Sequence, residues 1–386
     1  MSASKPPLPA APTQQTDGSA IRDTVTGSER QILRQIWRQP GISRVELTQH
    51  SDLAQQSIHR LVDGLCARGI VAMGPPVPGT GRGKPSPTLR LNGAHAYTVG
   101  ISVNVNVIDI CVMDQSGRIL AERAMPRDRG MEEELGRIRA VIATLGAELN
   151  LDESRLFGIG LSIAGYHVGG TQMNAALPLH DWSLIELGPL MSARFSKPVW
   201  VNNGGNTAAL AENMMGIGNH VRTFAYLSFN YGFGGGLIHD GELLTGGFGN
   251  AGEFGGMFDE TDRPLRPALQ LLVEHLAGYG VEIPSITYLR ERFDPNWPGV
   301  REWIEKVQPA HIRMVNAIIA VINPQAIVYG GQIPPALAQM LIDGIRIFSE
   351  ARYGVAAPRP KFIISQLGGT ASAIGAAMVP LKEGFY

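Results

Sequence analysis

Two stretches of this chain share one pattern, and the repetition limits the fold more than any other feature. Residues 97–125, "YTVGISVNVNVIDICVMDQSGRILAERAM", read as three strands with a turn at Asp114-Gln115-Ser116-Gly117. A helix at about 131–149, the strand "LFGIGLSI", a helix near 184–196 and the strand "PVWVN" follow. The arrangement then recurs. Residues 223–247, "TFAYLSFNYGFGGGLIHDGELLTGG", read as two or three strands with a turn at Asp240-Gly241. Helices, the strand "AIVYGG", another helix and "KFIISQL" complete the second copy. Two successive halves of this kind predict a duplicated α/β body with a cleft between them. Ligands of α/β proteins collect at the carboxyl ends of strands. That directs attention to "VNNGGNTAALAEN", residues 201–213, which reads as a strand end, a tight turn and an Ala-rich helix. The turn Asn202-Asn203-Gly204-Gly205-Asn206 holds no acid, base or nucleophile.

The front of the chain is different. Residues 1–27 are rich in Pro, Ala, Ser, Thr and Gln without apolar periodicity, and such a segment is expected to stay disordered. Residues 28–72 are helical in pattern. Ile32, Leu33, Ile36 and Trp37 form one apolar stripe, ended by Pro40-Gly41. Ser43-Arg44-Val45-Glu46 predicts a capping box opening a short helix that ends near His50. Ile58, Leu61, Val62 and Leu65 mark a third helix, with Gly69 as its stop. "IVAMG" and "PTLRLN" then read as two strands joined by the polar loop "PPVPGTGRGKPSP". Residues 1–92 hold eleven Lys/Arg against six acids, whereas the rest of the chain is acidic and the total net charge is −1. A basic front on an acidic body suggests a nucleic-acid-binding module.

Three helices and a two-stranded wing make a winged helix-turn-helix pattern. The third helix would enter the major groove and offer Gln55, Gln56, Ser57, His59 and Arg60 to base edges and phosphates. The amino end of the second helix, at Ser43 and Arg44, would meet a phosphate through its free amides. Arg82 and Lys84, in the thin "GTGRGKPSP" loop, suit a narrow minor groove.

No apolar run approaches the ~18 residues of a membrane span, and the N-terminus lacks the basic and apolar regions of a secretory signal. Cys66 and Cys111 match no metal or disulfide spacing, so a reduced, cytoplasmic protein is expected.

With these blocks in view the chain resembles a known family. "GISRVELTQHSDLAQQSIHRLVDGLCARGIV…GRGKPSPTLRLN" resembles the winged-helix head of ROK proteins (repressors, open reading frames and sugar kinases). "GIGLSIAG", "ALPLHDW", "KPVWVNNGGNTAALAE", "GGGLIHDGELLTGGFGNAGEFGGM", "INPQAIVYGG" and "ASAIGAAMVPL" resemble successive blocks of the ROK body. The resemblance runs from about residue 30 to the C-terminus. It implies the fold class: α/β, an N-terminal winged helix-turn-helix followed by a duplicated actin-like (hexokinase-type) two-lobed body. The expected domains are a tail (1–27), a DNA-binding head (28–92), a first lobe (93–205) and a second lobe (206–386), whose C-terminal helix packs back on the first.

Some members of that family phosphorylate sugars with ATP, and others repress transcription and sense a sugar. Four kinase requirements depart from the family pattern here. The first phosphate loop is Ser102-Val103-Asn104-Val105-Asn106, without the magnesium-holding Asp and the glycines. The second is Asn230-Tyr231-Gly232-Phe233-Gly234-Gly235-Gly236, in which Tyr231 and Phe233 would crowd a triphosphate. Gly204 stands where the family's catalytic Asp would take the sugar hydroxyl proton. Gly255-Gly256-Met257 replaces the zinc-linked His block, and no cysteine cluster follows. No cofactor is therefore expected, neither zinc nor ATP, and no catalytic residue. Of the family's sugar contacts, Asn203 and Glu253 remain. His180 and Asp181, with Trp182, follow the "ALP" block and are expected to line the same cleft.

The reading is a ROK-type regulator, a repressor with a degenerate body that senses a sugar-like effector or serves as a dimerisation scaffold. Its expected partners are double-stranded DNA with a pseudo-palindromic operator and a second copy of itself, as a homodimer or dimer of dimers. The alternatives are an ATP-dependent sugar kinase carrying a DNA-binding head, and a winged helix that binds protein.

Overall fold

The computed structural model describes residues 25–51, 53–77, 86–348 and 351–386. The expected tail up to residue 24, and the loop residues Arg82 and Lys84, lie outside the described residues.

The head starts with α1 (Gly27–Arg38), α2 (Arg44–Gln49) and α3 (Gln55–Ala67). The Ser43 capping box forms: Glu46 N–H donates to Ser43 Oγ at 3.3 Å, and Ser43 N–H donates to Glu46 Oε2 at 2.8 Å. A second box at Thr26 and Glu29 opens α1 and has no counterpart in the sequence reading. By contrast, α3 follows Ala54 and has no side-chain cap. Packing sets its position: Ile58, Val62 and Leu65 are buried with Ile32, Leu33, Ile36 and Leu47 in one cluster. Strands β1 (Val71–Val77) and β2 (Ser86–Leu91) pair antiparallel. The chain entering α2 joins their edge, with Gly41 N–H donating to the Leu89 carbonyl and Leu89 N–H to the Ile42 carbonyl, both at 2.9 Å.

The first lobe holds β3 (Tyr97–Val103), β4 (Val107–Asp114), β5 (Ile119–Pro126), α4 (Met131–Glu148) and β6 (Leu156–Ile163). A hairpin, β7 (Gly165–Gly169) and β8 (Gln172–Ala175), then precedes α5 (Leu187–Phe195) and β9 (Val199–Asn203). That hairpin is absent from the sequence reading, because its alternation is too short to register. Next come α6 (Gly204–Met215), β10 (Phe224–Phe229), β11 (Phe233–His239), β12 (Glu242–Leu244), α7 (Leu269–Ala277), α8 (Ile286–Arg292) and α9 (Val300–Ile322). The chain ends with β13 (Ala326–Gly331), α10 (Pro335–Asp343), β14 (Lys361–Ile364) and α11 (Ala371–Gly384).

The two sheets run β5-β4-β3-β6-β9 and β12-β11-β10-β13-β14, the same order in each half. In each, an antiparallel meander is extended by parallel strands. Helices α6 and α11 lie together between them. A Cβ on Gly100 or Gly160 would collide with the α11 backbone, and one on Gly375 would collide with the Thr207 carbonyl of α6. A Cβ on Gly205 would likewise strike Gly235 of β11. Thr98 Oγ1 donates to the Ala377 carbonyl at 2.7 Å. The glycines of "FGGG" therefore sit within a strand against a helix. A Cβ on Gly236 would meet Ala209 and Gly205 of α6, and one on Gly235 would meet the Tyr226 carbonyl and the Phe254 ring, whereas Gly234 has nothing within 4 Å.

The head is fixed to this helix pair. Its buried residues share one cluster with Leu210 and Ala211 of α6 and with Ala373, Met378 and Phe385 at the α11 end of the chain. The Trp37 ring of α1 leans on that of Tyr386, with centroids 4.9 Å apart, and it also lies over Gly117. Tyr386 Oη donates to the Gln115 carbonyl, while Arg30 Nη1 donates to the Lys382 and Tyr386 carbonyls, each at 3.4 Å. Among the described residues no helix is long and apolar enough to cross a membrane.

Candidate functional site

Between the lobes, at the carboxyl ends of β3, β6, β9 and β10, lies a cleft of about 720 Å³. That is within the range of small-molecule sites. The two halves contribute matching walls. Ser102-Val103-Asn104 ends β3 and Ser228-Phe229-Asn230 ends β10. In each, the Asn Nδ2 donates back to the Ser Oγ, at 3.2 and 2.9 Å respectively. Asn104 also donates to Asp109 at 3.2 Å. Burial pushes the Asp109 carboxyl up to about 6, against the opposing pull of Arg290. Where the family's phosphate loops would present free backbone amides, amide side chains thus close both turns. The Ser-x-Asn pair was visible in the sequence as part of the internal repeat, and it passed unused.

Asn203 caps α6. Its Oδ1 accepts from Gly205 N–H at 2.6 Å and Asn206 N–H at 3.3 Å, the side-chain solution to unpaired first-turn amides. Its Nδ2 donates to Glu253 Oε1 at 2.8 Å and to the Gly165 carbonyl. The residue is thus both a turn residue and a cleft residue, and it ties β9 to the opposite lobe. Asn250 makes a second bridge. Its Oδ1 accepts from His167 N–H, and its Nδ2 donates to the His167 carbonyl, both at 2.8 Å. Burial pushes the Glu253 carboxyl up to about 7. Near neutrality it holds both protonation states and can donate to, or accept from, a hydroxyl.

Gly204 lies beside them. A Cβ there would stand 3.5 Å from Ser162 Oγ, 3.8 Å from Ser372 Oγ and 4.0 Å from the Ile163 carbonyl, which is ordinary contact. The position has room for a side chain and carries none. Among the described residues lining the cleft, Glu253 is the sole carboxylate.

The remaining cleft expectations divide. His180 and Asp181 are not among the lining residues. His180 is exposed, and Asp181 Oδ2 accepts from Met131 N–H at 2.8 Å, at the start of α4. Trp182 is fully buried in the first lobe's core. These three are corrected from cleft to scaffold: the segment turns away to cover the sheet, where the Trp182 ring packs in the apolar core. Phe233 borders the cleft, but its ring packs with Phe229 and Phe258, centroids 5.0 and 6.1 Å away, so it belongs to an aromatic core. Tyr231 does line the cleft. Gly256 has open space around it, and among the described residues no three His, Cys, Asp or Glu side chains gather as a metal site would require. Arg263 and Arg266 line the cleft and were missed, because they follow the region where family blocks are readable.

In the head, Gln55, Gln56 and Arg60 are exposed, and Ser57 and His59 are half-buried. Arg44 is engaged elsewhere: its Nη2 pairs with Asp63 Oδ1 at 2.5 Å, bracing α2 against α3. Ser43 Oγ is likewise occupied by the cap. Their polar heads serve the fold of the head, which leaves the expected phosphate contact to the free amides of the first turn of α2.

The ROK family profile matches residues 98–264. The chain is similar to an uncharacterised protein, y4fQ, of Sinorhizobium fredii, at 27% identity over 93% of this chain and 92% of that one. It is 34% identical to a xylose repressor of Caldicellulosiruptor bescii over 26% of this chain and 25% of the repressor. Among solved structures, a ROK family transcriptional regulator described as a homologue of the E. coli MLC protein superposes with a TM-score of 0.70. The identity is 19%, covering 93% of this chain and 96% of that one. A ROK glucokinase from Streptomyces griseus, solved with glucose and AMPPNP, gives a TM-score of 0.59 at 22% identity. It covers 73% of this chain and 98% of the kinase. These likenesses carry the fold, a mixed α/β body of two sheets like that of the ROK sugar kinases. Residues 98–264 of this chain are a ROK family domain.

Proposed function

We propose that the chain is a DNA-binding transcriptional regulator, a repressor, whose kinase-like body has given up phosphoryl transfer and senses a small polyhydroxylated effector. One observation carries the reading. The head, a winged helix-turn-helix by its element order, presents Gln55, Gln56 and Arg60 outward, while its inner face packs on α6 and α11. Both helices begin at the cleft: Asn203 caps α6, and Ser372, in the first turn of α11, donates to the Gly204 carbonyl at 3.0 Å. An effector that draws the lobes together would move the two helices on which the head is seated. Such a ligand shifts the head only by the difference in its affinity for the two arrangements.

The glucokinase structure spans almost its whole length on 73% of this chain, so more than a quarter of this chain has no counterpart in the kinase. The regulator structure spans 93% of this chain, head included, and supports the same reading. A kinase would need a base at Gly204, and loss of a positioned base typically costs about 10²–10⁴ in rate. Sequence-specific footprinting on DNA upstream of the protein's own gene is expected to show protection of a two-fold site that weakens steeply with salt. Absence of any specific site in a genome-wide pull-down would overturn the reading. ADP release with any hexose would restore the kinase.

A further inference from the structure

The charges lining the cleft are unbalanced. Against the single carboxyl of Glu253 stand two guanidinium groups, Arg263 and Arg266. Within the described residues neither has a carboxylate within 4.0 Å, whereas the nearby Arg313 is paired with Asp262. Arg266 is fixed at the wall. Its Nε–H donates to the Arg263 carbonyl at 3.2 Å, and its Nη1 stands 4.0 Å from where a Gly255 Cβ would be. Burial and the neighbouring Arg263 both lower its proton affinity. Two like charges side by side, Arg266 half-buried and Arg263 exposed, with no carboxylate paired to either among the described residues, make a favourable place for an anion.

A second, independent signal lies in the same lining. Gln332 is 9% exposed and donates through Nε2 to the Gly369 carbonyl, yet its Oε1 has no partner among the described residues. A buried acceptor without a donor is a costly feature unless a bound hydroxyl or water supplies one.

We infer that the cleft takes an anionic carbohydrate-sized ligand, a polyol bearing a phosphate or carboxylate, whose anion sits at Arg263 and Arg266. Its hydroxyls meet Gln332 and Glu253, the latter held in place by Asn203. The inference rests on the reading of the cleft as an effector site. The two sources of the anion, a sugar phosphate and a sugar acid, share the guanidinium chemistry, which favours paired oxygens of either kind.

The test uses the full-length protein and calorimetric titration with aldohexoses, their 6-phosphates, the corresponding aldonic acids, inorganic phosphate and ATP. At least one sugar phosphate or sugar acid is expected to bind roughly tenfold or more tightly than its neutral parent, as charge-assisted hydrogen bonds allow. The Arg263→Ala/Arg266→Ala protein should lose that preference and keep its melting temperature, and Arg263→Gln/Arg266→Gln should do the same. Equal binding of the neutral sugar overturns the inference. So does a preference that survives in both variants, a failure of every anion to bind, or inorganic phosphate or ATP binding as tightly as the best sugar anion. Footprinting on the same preparations separates the two readings. Specific protection without an anion preference defeats this inference alone. An anion preference without specific protection defeats the regulator reading and leaves the site standing.

Discussion

Replacing Glu253 by Gln keeps the side-chain shape and an acceptor for Asn203 while removing the ionisation that burial opposes. In the folded protein this carboxyl titrates at about 7 instead of its ordinary 4.5. Between those values the unfolded chain has released the proton and the folded chain still holds it, so the wild type loses stability as pH rises through that window. At 1.36 kcal/mol per pH unit, the span amounts to about 3 kcal/mol, complete above the folded value and absent below the unfolded one. Glu253→Gln has no such loss. It should match the wild type at pH 4.5 and exceed it by about 3 kcal/mol at pH 8. Urea unfolding followed by tryptophan fluorescence at pH 4.5, 6, 7 and 8 measures the difference, and contributions from Asp109 and other shared groups cancel in it. A difference that stays constant with pH would refute the assignment of Glu253 as a neutral buried acid. A variant that falls behind as pH rises would refute it more strongly, since it would mean that the cleft stabilises the carboxylate.

Other expectations concern the two ends of the mechanism. Gly204→Asp should fold at least as well as the wild type, since the site is open and an acid in the first turn of a helix contributes about 0.3–1 kcal/mol. It should still release no ADP, and a melting temperature lowered by several degrees would show that the space is not there. Arg60→Ala should weaken specific DNA binding by about 1–3 kcal/mol, as for a residue at base edges. Arg44→Ala should act mainly on head stability through its lost pairing with Asp63, and equal effects of the two on gel-shift affinity would undo that distinction. Asp181→Ala should cost about 1 kcal/mol through the lost contact at the start of α4 and leave any effector response intact. A lost response would return the residue to the cleft.

The depth to which the sequence could be read differs from element to element. The Ser43 box, the α3 stripe and each hairpin of the repeated meander rest on spacing between near neighbours in sequence, and spacing of that range dictates local structure directly. The strand-end position of Asn203 and the vacancy at Gly204 were legible for the same reason. His180, Asp181 and Trp182 were misplaced because sequence proximity to a site-forming block says nothing about which way a turn leaves the sheet. The β7–β8 hairpin was too brief to show a period.

The lack of a carboxylate beside Arg263 and Arg266 among the described residues, and the pairing of Arg44 with Asp63, are properties of three-dimensional neighbourhoods. A charge in the sequence becomes a ligand site or a structural brace only when folding decides what stands within 4 Å of it. The seating of the head belongs to the same class, because Trp37 and Tyr386 meet only through α11, which packs across β3 and β6 where Gly100 and Gly160 leave room. The sequence determined what the elements are and which catalytic group is missing from the cleft. The tertiary structure decided which charges remain uncompensated among the described residues and which helices join cleft to head, because both depend on contacts between segments apart in sequence, 19 residues for Arg44 and Asp63 and 352 for Arg30 and Lys382.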